Sequence, residues 1–119
     1  MDTLLNILDQ KTALNKNVDL FAYEIEIGKI GLWCSDSQTD SRFNSVDYKE
    51  FDIYYRGKTK ASAISNIRYL KNRIDDISTQ VCELDDGTIF KLQILFGWDY
   101  LEKDSEGYFV FANRVRLYT

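Results

Sequence analysis

The sequence contains no histidine and no proline, and it has two cysteines among 119 residues. Without histidine, Ser-His and Cys-His catalytic pairs, His-ligated metal sites and histidine pH switches are excluded. Cys34 and Cys82 stand far apart inside apolar stretches, which favours two buried free thiols over a disulfide or a nucleophile. We therefore expect no catalysis, no cofactor and no bound metal.

Long hydrophobic runs and an excess of positive charge are missing as well. No apolar stretch approaches the ~18 residues of a membrane span, and the N-terminus has neither the basic region nor the cleavage site of a signal peptide. Lysine plus arginine number 15 against 19 aspartates plus glutamates, a net charge of −4, which argues against a general nucleic-acid-binding surface. We expect a protein that is made and kept in the cytosol and does not bind membranes.

The chain does have the material for a hydrophobic core. Hydrophobic residues make up 45% of it, including eight tyrosines, seven phenylalanines and two tryptophans. It is shorter than an average domain of ~150 residues, and neither a linker nor an internal repeat divides it. The sequence predicts a single domain over residues 1–119.

Hydrophobic periodicity predicts two helices and six strands, separated by turns rich in glycine and aspartate. In chain order they are a helix over Thr3–Leu14, strands over Phe21–Ile27, Ile30–Cys34 and Tyr48–Arg56, a helix over Ala61–Ile77, and strands over Gln80–Leu84, Thr88–Phe96 and Tyr108–Tyr118. This order indicates an α+β fold, with a mainly antiparallel twisted sheet of five to six strands and two helices packed on one face.

Turn and cap residues predict how these elements connect. Gly28-Lys29 and Asp85-Asp86-Gly87 each indicate a hairpin, and Asp2 or Thr3 is expected to cap the first helix and Thr59 the second. Two polar stretches, Ser35–Asp47 and Gly97–Gly107, are expected to be loops. The first of these is long for so small a domain, so it is either a contact for another protein or an ordinary surface loop.

Charged clusters provide little that could support chemistry. The carboxylate pairs are explained by a helix end at Asp75-Asp76, a turn at Asp85-Asp86 and a strand edge at Glu24 and Glu26. A basic cluster on the second helix is either a solvated face or a contact for an acidic partner; its members are Lys60, Arg68, Lys71 and Arg73.

Two segments resemble a known family. Phe51–Lys58 with the following helix, and Gly107–Arg116, are similar to the small tail terminator or minor capsid proteins of long-tailed bacteriophages and prophages of Gram-positive bacteria. The resemblance covers most of the chain from Tyr48 onward, and the part before it, including Trp33, matches nothing in that family.

The resemblance implies a virion protein, assembled in the host cytoplasm, that forms a hexameric ring at the head-proximal end of the tail tube. Its partners would be copies of itself, the tail tube protein and the head–tail connector proteins, with DNA involved only by passage through the ring. Aromatic and arginine side chains are typical of such contacts, and those expected to contact a neighbouring subunit or the tube are Phe43, Trp98, Tyr100, Arg114 and Arg116.

Two alternatives remain open on the sequence. One is a head-completion or connector protein of the same phages. The other is a binding module of the bacterial host, in which an acidic face would neutralise a basic partner; that face would consist of Glu24, Glu26, Glu50 and Asp52.

Overall fold

A computed structural model describes residues 1–36, 48–78 and 80–119 of the chain. Within these ranges the elements, in chain order, are α1 (Asp2–Lys11), β1 (Leu20–Ala22), β2 (Gly31–Asp36), β3 (Tyr48–Gly57), α2 (Lys60–Ser78), β4 (Cys82–Glu83), β5 (Ile89–Ile94), β6 (Asp99–Lys103) and β7 (Phe109–Tyr118). The predicted α+β class with a mainly antiparallel sheet is confirmed. Phe43 and residues 37–47 of the predicted polar loop lie outside the described residues, and the first two residues of that prediction, Ser35 and Asp36, belong to β2.

One curled sheet forms the frame of the molecule. Its strand order is β1-β2-β3-β7-β5-β4, and β6 pairs with β7 beside that path. The centre is the antiparallel pair of β3 and β7, whose register runs from Tyr48 opposite Tyr118 to Gly57 opposite Phe109. Alternate positions of these two strands are buried from Phe51 to Tyr55 and from Phe111 to Leu117, which fits their position at the centre of the sheet.

Both helices pack on the same face of the sheet. Apolar side chains at alternate positions of β3, namely Phe51, Ile53 and Tyr55, join one buried cluster with both helices. From α1 this cluster takes Leu4, Leu5, Ile7 and Leu8, and from α2 it takes Ala63, Ile67, Leu70 and Ile74. The predicted packing of the second helix on the sheet is confirmed.

Details at the helix starts follow from local contacts. The Ser62 amide donates to Thr59 Oγ1 at 3.1 Å, which confirms the predicted cap of α2. In contrast, α1 starts at Asp2 with Met1 at the cap position, so the predicted cap at Asp2 or Thr3 is wrong. The first buried residue of α2 is Ala63, which lies against Gly57, where an added Cβ atom would come within 2.5 Å of the alanine Cβ.

The predicted hairpin between Phe21–Ile27 and Ile30–Cys34 is wrong. β1 ends at Ala22 and runs parallel to β2, with Leu20 opposite Leu32. Tyr23 adopts a φ of 67°, which ends the extended conformation, and its amide donates to the Cys34 oxygen at 2.6 Å. The alternation of residues 21–27 is a local property, and it did not specify the partner of the strand.

The predicted strand Thr88–Phe96 and the predicted connection Gly97–Gly107 are both corrected by a bulge. β5 and β6 lie end to end along the same side of β7, with Ile94 opposite Val115 and Asp99 opposite Ala112. Four residues, 95–98, therefore stand opposite two residues of β7 and form a bulge, and Phe96, at the end of the predicted strand, is 61% exposed. The apolar residues on both faces of Thr88–Phe96 are typical of a central strand, but β5 is not central, since its outer neighbour is the two-residue strand β4.

Candidate protein-binding surface

The face of the sheet opposite the helices, here called the open face, carries polar and aromatic side chains from β2, β3 and β7. They occupy the alternate positions that point away from the core, and all are partly exposed; they are Trp33, Glu50, Asp52, Tyr54, Ala112, Arg114 and Arg116. The alternation of β3 and β7 places them there, because the other positions of both strands are in the core. Two of the predicted contact residues, Arg114 and Arg116, lie on the open face.

Arg114 and Arg116 are engaged within the chain. Arg114 Nε lies 2.8 Å from Asp52 Oδ1, and Arg116 Nη2 lies 2.7 Å from Glu50 Oε1. The pairs link directly opposite residues of β7 and β3, and hydrogen bonds to Tyr118 and Glu50 raise the pKa of Arg116 above its ordinary value. The side chains of Arg114 and Arg116 are 33% and 29% exposed, so parts of both remain accessible from the open face.

Aromatic rings extend the open face on both sides of the ion pairs. Trp33 stacks on Tyr54 with ring centroids 5.1 Å apart and an interplanar angle of 21°. The Arg116 guanidinium lies 4.4 Å from the centroid of Tyr48, which also contacts the ring of Tyr118. Tyrosine, tryptophan and arginine side chains held by each other lose little conformational freedom on binding.

The bulge between β5 and β6 opens a groove on this face, here called the bulge groove. Its volume is about 390 Å³, and it is lined by Asp52, Tyr54, Phe96, Gly97, Asp99, Leu101, Ala112, Asn113 and Arg114. The Asn113 side chain donates to the Phe96 oxygen at 2.7 Å, which holds the bulge in place. Phe96 and Leu101 are 61% and 56% exposed, so apolar area is displayed at the rim of the groove.

Trp98 and Tyr100, two other predicted contact residues, are not among the residues that line this groove. Trp98 is partly buried and packs against the core from the bulge. Tyr100 is 45% exposed, lies 5.4 Å from the ring of Phe111, and has the Lys60 ammonium 4.7 Å from its centroid. Arg114 lines the groove, whereas Arg116 lies further along β7.

Sequence reasoning missed Phe96, Leu101 and Asn113 as parts of this surface. A glycine inside an otherwise alternating strand is a recognised sign of a bulge, and Gly97 was that sign. Because the predicted connection begins at Gly97, Phe96 is predicted as the last residue of a strand and Leu101 as part of a loop.

A second polar centre, formed around Arg56, lies at the end of β3. The residue is 6% exposed, and its Nε and Nη2 donate to the main-chain oxygens of Lys29 and Glu26, each at 2.8 Å. Its Nη1 lies 2.9 Å from Glu106 Oε2 and 3.3 Å from Asp104 Oδ2. One buried guanidinium thereby joins the turn before β2 to the hairpin between β6 and β7.

The basic residues that form a cluster in the sequence make separate local contacts in the structure. Lys71 pairs with Asp75 at 2.7 Å and the Arg73 guanidinium lies over Tyr69, so with Lys60 against Tyr100 the basic cluster is divided among separate contacts. Among the described residues, no group of three or more histidine, cysteine, aspartate or glutamate side chains could hold a metal ion.

No helix in the described ranges is long and apolar enough to cross a membrane. Comparison with protein-family models finds no match for the chain, and comparison with curated proteins finds no significant similarity.

Proposed function

We propose that the chain is a structural subunit of a bacteriophage or prophage tail, which caps the head-proximal end of the tail tube as a ring and joins tail to head. On this proposal it acts by binding proteins, and it has no catalytic step and no cofactor. The ring would be a homo-oligomer, by the resemblance a hexamer, located in the virion.

The observation that carries the proposal is the bulge groove of the open face, which has exposed apolar side chains at its rim. Phe96 and Leu101 stand exposed beside a groove whose shape is fixed by the hydrogen bond of Asn113 to the bulge. Apolar side chains displayed on an ordered sheet, rimmed by partly exposed arginines and carboxylates, are typical of surfaces that bind another protein.

The segments that resemble tail terminators also form the centre of the fold. Phe51–Lys58 covers the second half of β3 and leads into α2, and Gly107–Arg116 covers most of β7. These two strands pair along ten residues each, and α2 packs on them. The resemblance therefore involves one contiguous unit rather than scattered positions.

The host binding module receives less support than the tail protein. Two of the four carboxylates of the supposed acidic face, Glu50 and Asp52, lie in ion pairs with Arg116 and Arg114. An acidic surface that is already neutralised within the chain offers little attraction to a basic partner. A head-completion protein of the same phages remains the alternative that the binding test below distinguishes.

The test is binding of the purified protein to tubes polymerised from the tail tube protein of the same phage or prophage. We expect the wild-type protein to sediment with tubes and to stop their elongation. The Phe96→Lys and Leu101→Lys double variant should lose this binding, whereas Val18→Lys, at a residue that is 63% exposed away from the groove, should retain it. Binding to head connectors but not to tubes would favour the head-completion protein.

A further inference from the structure

The turn before β2 displays an isoleucine almost completely to solvent. The Lys29 amide donates to the Glu26 oxygen at 3.1 Å, which closes a turn, here called the Ile27 turn, over residues 26–29. Gly28 has the positive φ of 78° that the third position of a type II turn requires. Ile27, before it at the tip, is 90% exposed, the highest value among the exposed large hydrophobic side chains of the described residues.

This turn is held rigidly in spite of its exposure. The buried Arg56 guanidinium binds the main-chain oxygens of Glu26 and Lys29, and Glu106 accepts a hydrogen bond of 3.0 Å from the Gly28 amide. An exposed apolar side chain on a fixed turn loses little entropy when it enters a partner. The Ile27 turn is thus built as an anchor for a protein contact.

At the opposite end of the molecule lies a groove, here called the end groove, that exposes apolar side chains. This end groove has a volume of about 410 Å³ and is lined by Val81, Ile89, Phe90, Lys91, Tyr118 and Thr119. Val81 and Ile89 are 68% and 61% exposed. The groove is therefore mainly apolar, open, and wide enough to receive an aliphatic side chain.

The charged side chains of the two grooves indicate that the end groove, rather than the bulge groove, receives the Ile27 turn. Glu24, Glu26 and Lys29 stand close to Ile27 in the sequence and are exposed, so residues 24–29 have a net charge of −1. Among the described residues that line the end groove, Lys91 has the only charged side chain, whereas the bulge groove has two carboxylates against one arginine. A segment with a net charge of −1 is attracted by the first and repelled by the second.

The positions of turn and groove determine what kind of contact they can make. Arg56 holds the turn at one end of the β3–β7 pair, where it lies opposite Val110, and Tyr118 lines the groove at the other end, opposite Tyr48. A turn cannot reach a groove at the opposite end of its own chain, but it can reach that of a second copy. Such a head-to-tail contact uses two different patches, and its repetition gives a ring when the rotation between successive copies closes.

We propose that the Ile27 turn of one copy docks into the end groove of the next copy, with Ile27 between Val81 and Ile89 and with Glu26 facing Lys91. The proposal rests on the ring formation of the proposed function and names the surfaces that form the ring.

The test is the oligomeric state of the full chain, measured by mass photometry. The wild-type protein should form a closed oligomer, and Ile27→Glu or Ile89→Glu should each weaken association by roughly tenfold or more, as for the loss of an interface anchor. Val18→Glu is the matched control at an exposed apolar residue outside both patches and should leave the oligomer unchanged. Circular dichroism checks that each variant is folded.

Mixing the variants tests the head-to-tail arrangement directly. Ile27→Glu retains an intact groove and Ile89→Glu retains an intact turn, so an equimolar mixture should give a dimer that does not grow further. The charge exchange Glu26→Lys with Lys91→Glu should likewise restore association that each single exchange weakens.

Failure of this inference differs from failure of the proposed function. If Ile27→Glu and Ile89→Glu assemble as the wild type does, the assigned contact is wrong although the ring remains. If the wild-type protein stays monomeric, the contact is also wrong. If the ring forms through this contact but does not bind tail tubes, the inference holds and the proposed function fails.

Discussion

The side chain of Asn113 on β7 binds the main-chain oxygen of Phe96 in the bulge, with 2.7 Å between Nδ2 and the oxygen. Asn113 is 7% exposed, and its Oδ1 accepts a hydrogen bond of 2.7 Å from the Arg114 amide. The Leu95 amide still donates to the Arg114 oxygen at 2.9 Å, and the Asn113 side chain adds the next hydrogen bond between the bulge and β7. Its position explains why a polar residue stands in the inward row of the last strand.

Asn113→Ala should destabilise the fold by about 1–3 kcal/mol, because it leaves the Phe96 oxygen and the Arg114 amide without their side-chain partner. The urea midpoint measures this loss, and faster amide exchange at residues 95–98 should accompany it. Asn72→Ala, on the exposed side of α2, is the matched control and should change stability by less than about 0.5 kcal/mol. Equal effects of the two changes would mean that Asn113 does not hold the bulge.

Arg56→Lys should open the Ile27 turn while leaving the sheet intact. A lysine retains the charge but cannot reach the oxygens of Glu26 and Lys29 with the planar fork of a guanidinium. We expect a loss of roughly 1–3 kcal/mol from the lost hydrogen bonds, together with faster exchange of the Gly28 amide. Arg68→Lys, at an exposed position of α2, provides the control. An unchanged Gly28 exchange rate in Arg56→Lys would contradict the role of Arg56 as the residue that fixes the turn.

Ile67→Ala and Ile27→Ala should lower the free energy of unfolding by very different amounts. Ile67 is 6% exposed in the core between α2 and the sheet, so Ile67→Ala should cost about 2–5 kcal/mol through lost burial and a residual cavity. Ile27→Ala removes the same atoms from a side chain that is 90% exposed and should change stability by less than about 0.5 kcal/mol. Chemical denaturation of the monomeric protein measures both; similar costs would refute the assigned burial.

Stability should fall in alkali through the buried thiol of Cys34. Burial raises the pKa of this thiol from 9.0 to about 12, so the folded chain retains a proton that the unfolded chain releases. The contribution is fully present below 9.0 and is lost as pH rises from 9.0 towards 12. Burial also raises the pKa of Tyr55, so the thiol is isolated by comparison with Cys34→Ala, which leaves Tyr55 in place.

The measurement for Cys34 is the free energy of unfolding as a function of pH in wild type and Cys34→Ala. The variant should show a smaller alkaline slope than the wild type, although its stability at neutral pH is lower because of the lost packing. Parallel curves above pH 9 would show that the thiol does not titrate on unfolding in this range.

Local patterns determined much of this fold. The alternation of β3 and β7, the stripe of α2 and the Asp85-Asp86-Gly87 turn each have a period or turn chemistry that only one conformation satisfies. The predicted helices and most predicted strands are therefore found near their expected positions, and the class of fold follows from their order.

Only the tertiary structure decided which strands pair and which charged side chains form ion pairs. Residues 21–27 alternate like a strand, yet β1 is short and parallel to β2, because pairing depends on what the rest of the chain places beside it. The ion pairs of Arg114 with Asp52 and of Arg116 with Glu50 join residues that are far apart in the sequence and meet only through the register of β3 and β7. The bulge groove and the Arg56 centre arise in the same way, since each is assembled by contacts between distant segments that no local period encodes.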